Sequence, residues 1–147
     1  MPPHERTRVL FICTGNRARS QMAEGLLRHL AADRFEALSA GTNPGGLAPQ
    51  TVEVMAEIGV DVSGQRSQHV DEFAREHLDY VIIVCGIAIE ACSPLAHEGE
   101  RVFWDVEDPS AAVSRGIPLM DALRAARDDL RSRVAAFVDA VAAGPDA

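Results

Sequence analysis

Apolar residues along this chain fall into two patterns: short unbroken runs, and runs spaced three or four apart. Arg8-Val9-Leu10-Phe11-Ile12 and Tyr80-Val81-Ile82-Ile83-Val84 are of the first kind. They are continuous and rich in β-branched residues, which reads as strands buried on both faces of a parallel sheet. Glu36 to Ala40 and Arg101 to Trp104 are weaker strand candidates. The second pattern begins with Met22, Leu26 and Leu30, four apart, while Glu24 and Arg28 form an i,i+4 pair on another face. Val52, Met55 and Ala56 make a shorter apolar face, and Gly59 is placed to end that helix. The longest helical signal runs through Leu123, Ala126, Leu130, Val134, Phe137 and Val141, with Pro118 suited to its first turn and Gly144-Pro145 to its end. "GTNPGGLAP" (41 to 49) reads as the richest loop and "HEGE" (97 to 100) as a turn. The alternation of strand and helix, with no repeat and no long linker, predicts one α/β domain over residues 1–147 with a mostly parallel sheet.

Composition narrows the function classes. A chain of 147 residues, 47% hydrophobic, is long enough for one sizeable core. Its 22 acidic residues against 14 Lys plus Arg give a formal net charge of -8. That balance argues against non-specific binding to nucleic acid or to an anionic membrane. An anionic ligand would need a local site that overcomes the overall field. Only the four apolar residues Val9 to Ile12 lead directly into Cys13, too few for a signal-peptide core, and no run could span a bilayer. A cytoplasmic location is the expectation. Three cysteines there do not suggest a static disulfide framework. Zinc is a poor fit, because Cys85 and Cys92 lack CxxC spacing and His97 is the histidine near them. His4, His29, His69, His77 and His97 stand in polar surroundings that suit surface positions. No metal and no cofactor are expected.

The chemistry concentrates where the first strand ends. Ligands of open α/β sheets collect at the carboxyl ends of strands, beside helix N-termini. Cys13 stands at such an end, followed by Thr14, Gly15, Asn16, Arg17, Ala18, Arg19 and Ser20. If these residues wrap into a cradle, their backbone N–H groups converge on one point and the helix dipole adds positive potential. Both effects favour the thiolate of Cys13 over the thiol. Gly15 is read as supplying the torsions the loop needs. Arg19 offers a planar fork for two oxygens of a tetrahedral anion, and Ser20 a hydrogen bond to the sulfur. Arg17 adds a second cation that either strengthens anion binding or points to solvent.

"CTGNRARSQMAEG", between a buried strand and an amphipathic helix, resembles the catalytic loop of the low-molecular-weight protein tyrosine phosphatase superfamily. It is most similar to the thioredoxin-coupled arsenate reductase branch. The resemblance runs from Val9 to the C-terminal helix and implies a three-layer α/β fold, with a four-stranded parallel sheet flanked by helices. It implies that Cys13 is the nucleophile and that Asp108, in the single Asp-Pro of the late loop "WDVEDPS", is the general acid. Asp105 and Glu107 are nearby alternatives. Trp104 is expected to pack beneath this loop. Phosphotyrosine phosphatases typically follow the Asp-Pro with an aromatic residue, whereas Ser110, Ala111 and Ala112 follow Pro109 here. That weakens the phosphotyrosine reading.

The other two cysteines point to reduction. The superfamily's sheet sets the strands ending at Cys13 and Cys85 side by side, about 4.8 Å apart. If residues 86 to 92 are helical, Cys85 and Cys92 lie about 10 Å apart along the axis. A disulfide needs Cα atoms within about 7 Å, so joining them requires that segment to unwind. The reductase branch carries a cysteine pair at this spacing. The resemblance thus implies a relay from Cys13 to Cys85 to Cys92, with arsenate as substrate, phosphate or sulfate as competitors, and thioredoxin or a similar thiol as reductant. A monomer is expected. Some relatives bind potassium through an Asn, a Glu, a Ser and a downstream Thr-x-Asp. Asn16, Glu24 and Ser39 match the first three, but Arg66-Ser67-Gln68 holds the downstream place. The expectation is therefore no potassium, with the Arg66 guanidinium standing in for the cation and Asn16 buttressing the loop. Two other readings compete: a phosphatase acting on phosphotyrosine or small phosphoesters, and a non-catalytic sensor holding arsenite through three thiolates. The sensor leaves Asp108 and Arg19 without a task.

Overall fold

The computed structural model describes residues 6–84 and 99–143. Cys85, Cys92, His4, His97 and the Gly144-Pro145 stop lie outside the described residues. Four strands, β1 (Thr7–Cys13), β2 (Phe35–Gly41), β3 (Tyr80–Ile83) and β4 (Glu100–Phe103), form one sheet. Its order is β2-β1-β3-β4, and every pairing is parallel. The central position of β1 explains its composition. Val9, Leu10, Phe11 and Ile12 are each fully buried, so neither face of the strand tolerates a polar residue. Each such side chain contributes about 1.5–3 kcal/mol through the apolar surface it withdraws from water.

The helices are α1 (Arg19–Ala31), α2 (Pro49–Ala56), α3 (Pro109–Ser114) and α4 (Leu119–Ala143). A 3-10 turn, Val70–Phe73, is capped by His69, whose ring nitrogen accepts from the Asp71 N–H. Phe137 of α4 meets Phe35 of β2, Tyr80 of β3 and Trp104, with ring centroids 5.7, 5.0 and 6.3 Å away. Trp104 also lies 5.9 Å from Phe11, so one aromatic cluster ties α4 across the sheet. This is the four-stranded parallel sheet with flanking helices that the resemblance implied.

Local differences have simple causes. Leu30 is 47% exposed, because each i,i+4 step turns about 40° past a full circle and the buried stripe follows Leu27 and Ala31 instead. Glu24, placed with Arg28 on a different face from Met22 and Leu26, is buried too. In α2 the buried residues are Thr51, Val54 and Met55, while Ala56 is exposed. Gly59, at φ +78, closes that helix as the Val60 N–H bonds the Met55 carbonyl. No apolar periodicity announces α3, which Asp108 starts by accepting the Ser110 N–H at 2.9 Å.

Candidate active site

Cys13 is the last residue of β1 and is 3% exposed. Its Sγ accepts the Asn16 N–H at 3.2 Å and lies 2.9 Å from Ser20 Oγ. The loop from 14 to 18 then enters α1 at Ala18, which offers no side-chain cap. A Ser, Thr, Asp or Asn there would claim an N–H of the first turn; alanine leaves those donors to a ligand.

The carbonyls of this loop have partners in the segment after β2. Thr42 N–H donates to Cys13 O, Asn43 to Thr14 O, Gly45 to Gly15 O and Ala48 to Arg17 O, over 2.9–3.3 Å. Thr51 Oγ1 adds a second bond to Arg17 O at 2.9 Å. With its carbonyls committed on that side, the loop is free to present its amides to the opposite side, the geometry of an anion cradle. Gly41 makes the approach possible. A Cβ there would lie 2.6 Å from the Thr14 carbonyl oxygen, inside any allowed contact, and 3.0 Å from Asn16 N. The left-handed residue of the loop is Asn16, at φ +47, and not Gly15. Asparagine tolerates that region, and its side chain here is fully engaged.

That engagement orders a buried chain of hydrogen bonds. The Gln68 backbone N–H donates to Asn16 Oδ1 at 2.8 Å, which fixes the orientation of the amide. Nδ2 then donates to Ser20 Oγ at 2.8 Å and to Ser39 Oγ at 3.0 Å. Ser20 is left with its proton available to Cys13, and Ser39 passes its own to Glu24 at 2.5 Å. The other Glu24 oxygen accepts from Arg28 at 2.5 Å. Burial pushes the Glu24 carboxyl above its ordinary range, while Ser39 and Arg28 pull the other way. The guanidinium serving Glu24 is therefore that of Arg28. Arg66, expected in that role, is exposed and contributes its carbonyl to Gln21. Asn16 Oδ1 and both Glu24 oxygens thus each accept a hydrogen bond from a protein donor.

Arg19 crosses from α1 to two other elements. Its Nη1 donates to the carbonyls of Val84 and Val106 at 3.1 and 3.0 Å, and its Nη2 lies 3.6 Å from Asp108 Oδ2. The two carbonyls use Nη1, so a bidentate anion would meet the Nε and Nη2 edge. Of the three acids weighed in the late loop, Asp108 lines the cleft at this site. Glu107 is held by Arg115, and Asp105 is exposed. The cleft measures about 320 Å³ and includes Thr14, Gly15, Arg17 and Arg19 on one side, Ser110 and Leu119 on another. Among the described residues, no aromatic side chain lines it. Arg17 is exposed, and its Nη1 donates to the Gly45 carbonyl at 2.8 Å.

Beyond β3, the Val84 N–H donates to Ile12 O at 2.9 Å. Ile83 pairs with Ile12, so the register sets Val84 beside Cys13. The backing segment 42–48 was missed by sequence reasoning. Its glycines were visible, but nothing local showed which carbonyls they would face.

A family model described as low molecular weight phosphotyrosine protein phosphatase matches residues 8–144. An arsenate reductase of Halalkalibacterium halodurans is 35% identical over 131 residues, 89% of this chain and 94% of that protein. An arsenate reductase of Bacillus subtilis is 33% identical over the same shares of each chain. Among solved structures, an arsenate reductase in a phosphate-binding state has a TM-score of 0.78 at 30% identity, covering 90% of this chain and 97% of its own. A thioredoxin-dependent arsenate reductase of Corynebacterium glutamicum has a TM-score of 0.72 at 25% identity, covering 92% of this chain and 62% of its own.

Proposed function

The chain belongs to the low-molecular-weight phosphotyrosine protein phosphatase family, and from that premise we propose that it reduces arsenate to arsenite by a thiol/disulfide relay. Arsenate enters the 14-to-19 loop, held by backbone N–H groups and the Arg19 fork. The Cys13 thiolate attacks arsenic, and Asp108 protonates the oxygen that departs as water. Cys85 then attacks the Cys13 sulfur. The sulfur–arsenic bonding pair passes to arsenic, which leaves as arsenite, and a Cys13–Cys85 disulfide remains. Cys92 attacks Cys85, freeing Cys13 and leaving a Cys85–Cys92 disulfide for a thioredoxin-like dithiol to reduce. Two thiols supply the two electrons arsenic gains.

The feature that favours reduction over ester hydrolysis is the sequence pair Cys85 and Cys92, the first of which follows the strand that runs beside β1. Val84, one residue before Cys85, sits beside Cys13. Among the described residues, the cleft also offers no aromatic wall for a phosphotyrosine ring to pack against. Among the described residues, no helix is long and apolar enough to cross a membrane. We place the enzyme in the cytoplasm as a monomer, with phosphate or sulfate competing for the loop.

The test is NADPH oxidation with arsenate, coupled through thioredoxin and thioredoxin reductase, on wild type and Cys92→Ser. Wild type turns over repeatedly, and the variant stops after one cycle. Phosphatase activity in both proteins, with no arsenate-dependent oxidation, would overturn the proposal in favour of a phosphoester hydrolase.

A further inference from the structure

Arg17 lies flat across two glycines that face each other. A methyl group built on Gly45 would stand 3.1 Å from Arg17 Cδ and 3.2 Å from Nη1. One built on Gly15 would stand 3.3 Å from both Cγ and Cδ. Those glycines are joined by the bond from Gly45 N–H to the Gly15 carbonyl at 2.9 Å, and the Arg17 guanidinium closes over the pair by donating to Gly45 O at 2.8 Å. One side chain thus covers the midpoint of the four bonds that fasten the 42–48 segment to the loop carbonyls.

We propose that Arg17 is a positioning residue: it clamps the 42–48 segment onto the loop, so that the loop's amides stay turned inward before an oxyanion arrives. The proposal rests on reading the loop as an oxyanion site. A peptide unit whose carbonyl loses its outer partner can rotate and carry its N–H away from the ligand. Affinity then falls, because ordering must be supplied on binding. In this role the arginine acts through backbone, and its charge is incidental. A direct anion ligand would act through its charge and would not need Gly45.

The two roles separate in a double-mutant cycle that uses inorganic phosphate as probe, read by calorimetry on the reduced full chain. Arg17→Ala removes the clamp and the charge. Gly45→Ala keeps the charge but crowds the side chain, whose Cδ and Nη1 must give way to the methyl, at a glycine whose φ is not left-handed. Each single variant should lose phosphate affinity by roughly three- to tenfold, the range expected for one hydrogen bond. The double variant should lose no more than either. The loss should persist at high salt, where a charge effect fades, and Arg17→Lys should recover part of it. Amide exchange at Asn43 and Gly45 should quicken in Arg17→Ala, a readout that stands even if Gly45→Ala folds poorly. Wild-type affinity in Gly45→Ala with unchanged amide exchange in Arg17→Ala, additive losses, or a loss that vanishes with salt would each overturn the clamp while leaving the loop reading intact. Absence of phosphate binding in wild type would overturn both.

Discussion

Ser20 Oγ stands 2.9 Å from Cys13 Sγ while accepting Asn16 Nδ2 on its other side at 2.8 Å. The serine proton is thereby directed at the sulfur. The proposed mechanism needs that sulfur as its anion, and a hydrogen bond to an anion is worth about 1.5–3 kcal/mol. Ser20→Ala should slow iodoacetamide alkylation of Cys13 at neutral pH by roughly tenfold or more. An unchanged rate would show that the hydroxyl does not support the thiolate.

Gly41 permits the closest approach in the site. Gly41→Ala sets a methyl against the Thr14 carbonyl and the Asn16 backbone, neither of which can swing aside. Overpacking of this kind costs about 1–3 kcal/mol, and phosphate binding should disappear with it. Gly64→Ala is the control: nothing lies within 4 Å of a Cβ there, so stability and binding should hold. Denaturant unfolding and calorimetry on both variants decide the matter.

Asp108 caps α3 and, in the proposed mechanism, also gives up the acidic proton, two roles that one substitution can split. Asparagine caps a helix as well as aspartate does, but it has no acidic proton to give. Asp108→Asn should therefore keep the α3 cap and the melting temperature while slowing arsenate turnover by about 10²–10⁴-fold. Asp108→Ala should lose the same activity and also about 0.5–2 kcal/mol of stability. Turnover near wild type in the asparagine variant would move the acid role elsewhere.

Glu24 brings a pH dependence of definite sign. Its carboxyl is raised above the usual value chiefly by burial, so the folded protein holds this proton more tightly than the unfolded chain. By linkage, the Glu24 contribution to stability is greatest below the ordinary carboxylate range and declines as pH rises through it toward the folded value. Glu24→Gln removes that titration. The stability of wild type relative to the variant should fall between acidic and neutral pH, as measured by urea unfolding at several pH values. A rising difference would mean that Ser39 and Arg28 outweigh burial.

Much of this architecture can be read from residues in a row. The runs ending at Ile12 and Val84 announce their strands because a central parallel strand has no solvent face. The stretch from Cys13 to Ser20 contains the sulfur, the serine and the arginine that the fold brings together. What stayed hidden depends on distant partners. Asn16 takes the left-handed position ascribed to Gly15 because Gln68, far along the chain, secures its side chain. Arg28 and not Arg66 serves Glu24 because one helical turn separates that pair, while Arg66 lies on an exposed connection. Motif spacing alone does not reveal where a guanidinium finds its carboxylate.

The pairing of loop carbonyls with the 42–48 segment also bears on how quickly an oxyanion reaches the site. Locked peptide dipoles attract only at contact distance, whereas the formal charge of -8 acts from farther off and repels a dianion. Arg17 and Arg19 line the cleft, but against that overall field capture should be slower than on a chain of neutral net charge, with retention firm once contact is made. Adding inert electrolyte should quicken the encounter, the reverse of what attractive steering produces.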